Sequence, residues 1–312
     1  MSSDDLSAEA KAFDDRIAER VRNGHIPDLR RVEPCDWFYN NPWRRPYFVA
    51  MDHGRAFQFA LEHARRGSLL ELGSGVGHMS LEFARNGFDV TGLELAPGCL
   101  AVARRLADEN PYREGFGRLR YLQSDFFEWK ADRTFDTICM FGVLHHFSRV
   151  DEAVNRAFDL LSPGGRIIVC EPARDWPTAA NGVMMALLRV LLSQRGLWFE
   201  KLPLPASEED FRQYAKVCLK ELCEGHDPDE AEQSPNDNSS AAETMLAGLR
   251  RKFSEVECRR INGFLQRVIG GLRGRDEDET RRLAEFLDIV DKSALATGMI
   301  QPAEMYWVGQ KN

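Results

Sequence analysis

The stretch SLLELGSGVGH (residues 68–78) predicts a buried β-strand that ends in an acid and runs into a glycine-rich turn. Gly73, Gly75 and Gly77 lack a Cβ, so the chain can turn sharply and its backbone can approach a ligand closely. Residues 79–85 have helical spacing, so the turn delivers a helix N-terminus to that ligand. The stretch therefore indicates a nucleotide-binding element.

The residues of this turn favour one cofactor over another. A dinucleotide fingerprint has a third glycine three positions after the second, where this chain has His78. The carboxylate of Glu71 would also repel a pyrophosphate, whereas it favours an amino group. S-adenosylmethionine carries an amino group and no phosphate, so the sequence favours it. We interpret His78 as a surface residue at the start of the helix.

Two further strands end in acidic turns. Residues 88–95 predict a buried strand that ends at Glu94, which can accept hydrogen bonds from both ribose hydroxyls. Residues 119–123 predict a third strand, and the turn 124–127 after it carries Asp125 and is flanked by aromatic residues suited to an adenine ring. Open α/β sheets bind ligands at the carboxyl ends of their strands, so three such turns predict one site.

With these residues the chain resembles the S-adenosylmethionine-dependent methyltransferases of class I, small-molecule type, which have a Rossmann-like fold. The likeness runs from about Gly67 to Pro172 and includes the last strand. It adds FDTICMFGVLHH (135–146) as the fourth strand with its turn, and LSPGGRIIV (161–169) as the turn into the fifth strand. Glu94 stands where aspartate is commoner, which leaves the ribose role intact. The cofactor contacts that follow are Glu71, Gly73, Ser74, Gly75, Gly77, Glu94, Leu95, Ser124, Asp125, Phe126, Phe141 and Gly142.

The fold expected is α/β, with a Rossmann-like, doubly wound, seven-stranded and mostly parallel sheet, helical lid insertions and an N-terminal cap. Five strand–helix units are predicted up to Val169, a sixth strand over 253–261, and a seventh over 305–309 that closes the sheet. The insertions would lie over the carboxyl edge and shape the substrate pocket. The division predicted is a helical and aromatic cap (1–60), the cofactor-binding core (61–175), a helical lid (176–240), a return to the core (241–263), a second helical insertion (264–302) and the last core strand (303–312).

Titratable residues follow the fourth and fifth strands. Methyl transfer is an in-line displacement in which positioning dominates, but a hydroxyl or protonated amine acceptor also needs a base. His145 and His146 follow strand four and Glu171 follows strand five, so one histidine could take the proton while Glu171 orients it. We favour His146, with His145 or neither as alternatives. Glu171 could equally cap a helix at Pro172.

Residues 36–48 are dense in aromatic and arginine side chains. Tyr39, Trp43, Arg44 and Tyr47 are predicted to close over the substrate, with Arg44 or a neighbouring arginine holding a carboxylate. Alternatively, the aromatic residues only anchor the cap. The apolar stretch 183–192 is too short to span a bilayer, and we interpret it as a helix over an apolar pocket.

The composition of the chain limits which binding partners and which cellular compartment are expected. The formal net charge of −8 argues against a nucleic-acid partner, which usually meets a basic face. Seven cysteines without a CxxC pair, with Cys139 and Cys170 in predicted central strands, indicate a reduced, cytoplasmic protein. No signal peptide, transmembrane segment or metal cluster is recognised, and a homodimer is left open.

The sequence thus predicts S-adenosylmethionine-dependent methyl transfer to a small-molecule acceptor. A hydroxyl or amine on a partly apolar natural product, sugar or lipid-like molecule is favoured. Methylation of a protein or nucleic acid is the runner-up. From other classes, a non-catalytic cofactor-binding protein and an NAD-dependent oxidoreductase stay open.

Overall fold

The structure, a computed structural model, describes residues 3–22, 46–223, 234–237 and 240–312. Its seven strands form one sheet. The strands are β1 (Ser68–Leu72), β2 (Asp89–Glu94), β3 (Arg118–Gln123), β4 (Phe135–Phe141), β5 (Leu161–Pro172), β6 (Ser254–Ile261) and β7 (Glu304–Gln310). The helices are α1 (Ser3–Arg22), α2 (Pro46–Met51), α3 (His53–His63), α4 (His78–Arg85), α5 (Pro97–Asp108), α6 (Val150–Leu160), α7 (Ala179–Gln194), α8 (Glu208–Leu222), α9 (Ala242–Lys252), α10 (Gln266–Ile269) and α11 (Glu277–Ala296). A short 3-10 helix spans Leu144–His146.

The strand order is β3-β2-β1-β4-β5-β7-β6. Neighbours from β3 to β5 are parallel, and β7 is antiparallel to both β5 and β6. This arrangement confirms the doubly wound, mostly parallel, seven-stranded sheet.

The seventh strand does not close the sheet at its edge but lies inside it. The five central residues of β7 are all buried, which suits a strand with helices packed on both faces and a neighbouring strand on each side. In contrast, β6 (SEVECRRI) is largely exposed and charged, which suits an edge strand.

The prediction of five strand–helix units is wrong between β3 and β4. Residues 124–134 contain no helix and connect the strands by turns. Asp125 shapes this segment, because its carboxylate accepts from the backbone N–H of Phe127 at 2.8 Å and its carbonyl from that of Trp129 at 2.9 Å. A side chain bonded to its own backbone competes with helix formation.

Each face of the sheet packs on its own helices. One face places Phe135 and Trp307 against α6 and α9, and the other places Phe59 and Phe83 of α3 and α4 on the strands. A separate apolar cluster joins α2, α7, α8, α10 and α11 around the fully buried Phe48 and Phe264. Helices α7 and α8 follow β5, and α10 and α11 follow β6, so these four rise from the carboxyl edge of the sheet, whereas α2 precedes β1. No described helix is both long and apolar enough to cross a membrane.

Candidate functional site

The turn after β1 has the left-handed backbone that its glycines permit. Gly73, Gly75 and Gly77 have φ angles of +61°, +51° and +79°. A Cβ on Gly73 would lie 2.5 Å from Val143, and one on Gly77 would lie 2.3 Å from the hydroxyl of Tyr121. A Cβ on Gly75 would meet nothing within 4 Å. Gly73 and Gly77 therefore serve packing, while Gly75 leaves an open approach to the backbone.

Glu71 is an acid buried below this turn. Its side chain accepts a hydrogen bond from the hydroxyl of Ser80. Burial, opposed by the bonds to Ser80 and reinforced by Glu94, raises the pKa of Glu71 to about 8. No cationic side chain of the described residues is among the groups that set this pKa. A ligand ammonium group would supply the missing charge, so Glu71 fits the amino group of S-adenosylmethionine.

Glu94 joins the first two turns. One of its oxygens accepts from the N–H of Gly75 at 2.7 Å, and the other accepts from the N–H groups of Leu95 and Ala96 at 2.8 and 2.9 Å. Burial raises the pKa of Glu94, although these backbone bonds oppose the shift. The predicted ribose acid therefore lies at the glycine turn.

The third turn carries Ser124, Asp125 and Phe126. The ring of Phe126 is buried in the core beside Leu93, whereas Phe127 is half-buried. His78, interpreted from sequence as a surface residue, is half-buried instead, and burial lowers its pKa to about 3. It is therefore a neutral imidazole at the start of α4.

The turn after β4 lies against the turn after β1. Gly142 has φ +64°, and its N–H donates to the carbonyl of Cys170 at 2.8 Å. A Cβ on Gly142 would lie 3.9 Å from the ring of His145, and Val143 lies where a Gly73 side chain would be. The histidine pair is thus held beside the glycine turn.

Glu171 holds this turn in place. One oxygen accepts from the N–H groups of Val143 and Leu144 at 2.8 and 2.7 Å, and the other lies 2.6 Å from Nδ1 of His145. Pro172 continues β5, so Glu171 caps the 3-10 helix of the β4 turn rather than a helix at Pro172. The structure therefore brings together His145 and Glu171, as their positions after adjacent strands suggested.

His145 lies between two carboxylates. Its Nε2 is 3.5 Å from Oδ1 of Asp237, on the opposite side of the ring from Glu171. Burial by itself lowers the pKa of His145, but the hydrogen bonds to Asp237 and Glu171 outweigh it and raise the pKa to about 9. His145 therefore keeps its proton at neutral pH.

His146 is covered by α1 and by residues 234–237. Its Nδ1 lies 3.0 Å from Oε1 of Glu9, and its ring stacks edge-on against Phe13 with centroids 5.7 Å apart. Glu9 also accepts from the hydroxyl of Ser234 at 2.6 Å. Burial raises the pKa of Glu9, but the bonds to His146 and Ser234 outweigh that effect and leave the pKa lowered.

Sequence reasoning missed Glu9 and Asp237. Glu9 had one local signal, since Leu6, Glu9, Phe13 and Ile17 recur at helical spacing and so place an acid on the apolar side of α1. Asp237 lies in a polar stretch and had none. With His145 and His146 it forms a group of three potential metal ligands, although no metal site was predicted.

The predicted substrate-binding residues are only partly described. Tyr39, Trp43 and Arg44 lie outside the described residues. The hydroxyl of Tyr47 donates to Glu277 at 2.7 Å, and its ring stands edge-on to Phe48. These contacts tie α2 to α11, which agrees with the anchoring alternative.

Comparisons with known proteins agree with this architecture. A family model described as a methyltransferase domain matches residues 43–227. The demethylmenaquinone methyltransferase of Thermus thermophilus is 29% identical over 151 residues, which are 47% of this chain and 60% of that protein. The ubiquinone biosynthesis O-methyltransferase of Rickettsia akari is 25% identical over 124 residues, 40% of this chain and 47% of that protein. The chain therefore spans about half the length of the curated relatives it matches.

One solved structure has the same fold over nearly the whole chain. The [4+2]-cyclase SpnF superposes with a TM-score of 0.53 at 14% identity, covering 98% of this chain and 94% of that chain. This similarity bears on the fold alone.

Proposed function

The chain belongs to the methyltransferase-domain family, and from that premise we propose that it transfers the methyl group of S-adenosylmethionine to a small, partly apolar acceptor. One observation carries this proposal. Glu71, a buried carboxyl group whose pKa is set by no cation of the described residues, precedes the turn that is open at Gly75, and the same turn touches the loop that holds the histidine pair.

The residues of the three turns would bind the cofactor, which supplies an activated methyl carbon. Glu71 would hold its amino group, and the open approach at Gly75 would admit the methionine part to the backbone. Glu94 and Leu95 would contact the ribose side, and Ser124, Asp125 and Phe126 the adenine side. The other proposed contacts are Gly73, Ser74, Gly77, Phe141 and Gly142.

For a hydroxyl acceptor we place the proton acceptor at His146. Glu9 holds Nδ1 of this ring at 3.0 Å, which would fix the ring while Nε2 takes the proton. His145 already carries a proton between Glu171 and Asp237, so it would position the loop rather than act as the base. Glu171 supports that role through its bonds to Val143 and Leu144.

The names of the relatives support a narrower acceptor class. One is named a demethylmenaquinone methyltransferase and the other a ubiquinone biosynthesis O-methyltransferase, so we propose an aromatic, quinol-like acceptor with a ring hydroxyl. A cytoplasmic location and a homodimer are further proposals, the second of which light scattering tests.

Calorimetry with S-adenosylmethionine, S-adenosylhomocysteine and NAD tests the cofactor. We expect the first two to bind and NAD not to bind; the reverse would refute the proposal. Methyl transfer to a panel of hydroquinones and catechols, followed by mass spectrometry, tests the acceptor.

Replacing His146 with Ala should lower turnover by roughly 10²- to 10⁴-fold with cofactor affinity unchanged. The control is His63→Ala, which removes a histidine paired with Glu257 at 2.9 Å outside the site.

A further inference from the structure

His145, His146 and Asp237 converge at the carboxyl edge of the sheet. A ring nitrogen of each histidine and a carboxylate oxygen of Asp237 lie within 4.8 Å of one another. Nε2 of His145 and Oδ1 of Asp237 are 3.5 Å apart. A tetrahedral metal ion with bonds of about 2.1 Å holds its ligands about 3.4 Å apart. The cluster is therefore close to the spacing that coordination needs, and small side-chain rotations would close it.

Both imidazoles are oriented by a carboxylate. Glu171 lies 2.6 Å from Nδ1 of His145, and it is itself fixed by two backbone N–H groups. Glu9 lies 3.0 Å from Nδ1 of His146. Metal-binding histidines commonly have such a carboxylate partner, which fixes the tautomer and the ring orientation.

The charges at this place also favour a cation. Three buried carboxylates, those of Glu9, Glu171 and Asp237, face two imidazoles. Coordination at Nε2 would displace the proton that His145 carries, so the metal ion would take over the pairing with these carboxylates in a region that α1 and residues 234–237 cover. Uncompensated buried charge is costly, and a dication offsets two of these charges.

We propose that His145, His146 and Asp237 bind one divalent transition-metal ion of the Zn²⁺ class. Two imidazoles and one carboxylate suit a borderline ion of this kind and leave a coordination position for a further oxygen. The site is defined by residues of this chain alone and does not depend on the proposed function.

The role of the ion does rest on the proposed function. An acceptor hydroxyl bound to it would lose its proton to solvent, because a cation lowers the pKa of a bound hydroxyl group. The oxygen would then form the bond to the methyl carbon as the carbon–sulfur bond breaks and its electron pair goes to sulfur. In the metal-loaded protein His146 is a ligand, so its role as proton acceptor belongs to the metal-free protein. The acceptor class narrows to molecules that offer an oxygen ligand, such as catechols.

Metal titration of the full chain tests the site. After chelator treatment, Zn²⁺ is added in the calorimeter and Co²⁺ is followed by visible absorption. We expect one equivalent of each ion to bind. His145→Ala and Asp237→Asn should each abolish this equivalent, and Glu171→Gln should weaken it by roughly 10- to 100-fold. The matched control is His53→Ala, which breaks another histidine–aspartate pair, 3.0 Å long, away from the cluster.

The outcomes separate this inference from the proposed function. Absence of a saturable equivalent, or an equivalent that survives both His145→Ala and Asp237→Asn, overturns the metal site. Circular dichroism checks that each variant is folded. If His145→Ala does not fold, Asp237→Asn, which keeps the shape of the side chain, is the variant that tests the site. Binding of S-adenosylmethionine without binding of metal supports the proposed function and overturns the metal site. Binding of metal without binding of S-adenosylmethionine supports the metal site and overturns the proposed function.

Discussion

Binding of S-adenosylmethionine should release protons, because Glu71 is a buried acid that must ionise to hold an ammonium group. Its side chain is 3% exposed and its pKa is raised to about 8. At pH 7 about nine-tenths of the ligand-free molecules therefore carry a neutral Glu71. An ammonium group at the carboxyl group lowers that pKa again, so the bound state is ionised.

The sign and the magnitude follow from linkage. The ligand-free protein binds the extra proton, so affinity falls as pH falls below about 8, by about tenfold for each pH unit. Between pH 6 and pH 7 the amino group of the ligand keeps its own proton, which isolates the contribution of Glu71. Binding at pH 7 should release about 0.9 proton per cofactor.

Titration calorimetry in buffers of different ionisation enthalpy measures this proton release directly. Glu71→Gln should reduce the release to near zero and make the affinity independent of pH. The matched control is Glu304→Gln. Glu304 is another buried acid, with its pKa raised to about 7, but it lies on β7, which β4 and β5 separate from β1. Its removal should leave the proton release unchanged.

The same residue affects folding with a defined sign. In the folded state the pKa of Glu71 lies above its usual 4.5, so stability declines as pH rises between 4.5 and about 8. At pH 7 the raised pKa lowers the free energy of unfolding by about 3 kcal/mol. Glu71→Gln should therefore raise the free energy of unfolding by up to that amount. Cofactor binding at pH 7 without proton release in the wild-type protein would refute this reasoning.

Three further predictions test other parts of the site. Gly75→Leu should lower cofactor affinity at least about tenfold, because it fills the open approach at a φ of +51°; unchanged affinity by calorimetry would contradict the proposed approach. Glu9→Gln should loosen α1 from Ser234 and His146 and raise the KM for the acceptor, with faster hydrogen exchange over residues 3–22; exchange equal to that of Glu19→Gln, an exposed acid of the same helix, would rule this out. Trp307→Ala should lower the free energy of unfolding in urea by about 3–5 kcal/mol, because the ring is fully buried; a loss below 1 kcal/mol would contradict its place in the core.

The sequence by itself determined the units that local signals encode. The strand, the acid and the glycine turn lie within eleven residues of one another, so periodicity and glycine spacing place them without knowledge of the rest of the chain. The sequence also indicated that one histidine of the β4 turn lies beside Glu171, because adjacent parallel strands bring their carboxyl ends together; the structure shows that this histidine is His145.

Tertiary structure alone decided what covers the site. Ser234 meets Glu9 across 225 residues and His146 across 88, and no local pattern records contacts at that separation. The position of β7 inside the sheet likewise depends on the whole fold. The buried β7 is stabilised by a strand on each side, whereas the exposed and charged β6 tolerates the edge. Local propensity acts over a few residues, whereas burial and charge pairing act between surfaces that exist only once the chain has folded. That is why the glycine and acidic turns at the strand ends are predictable from the sequence, while the carboxylates beside the histidines appear only in the structure.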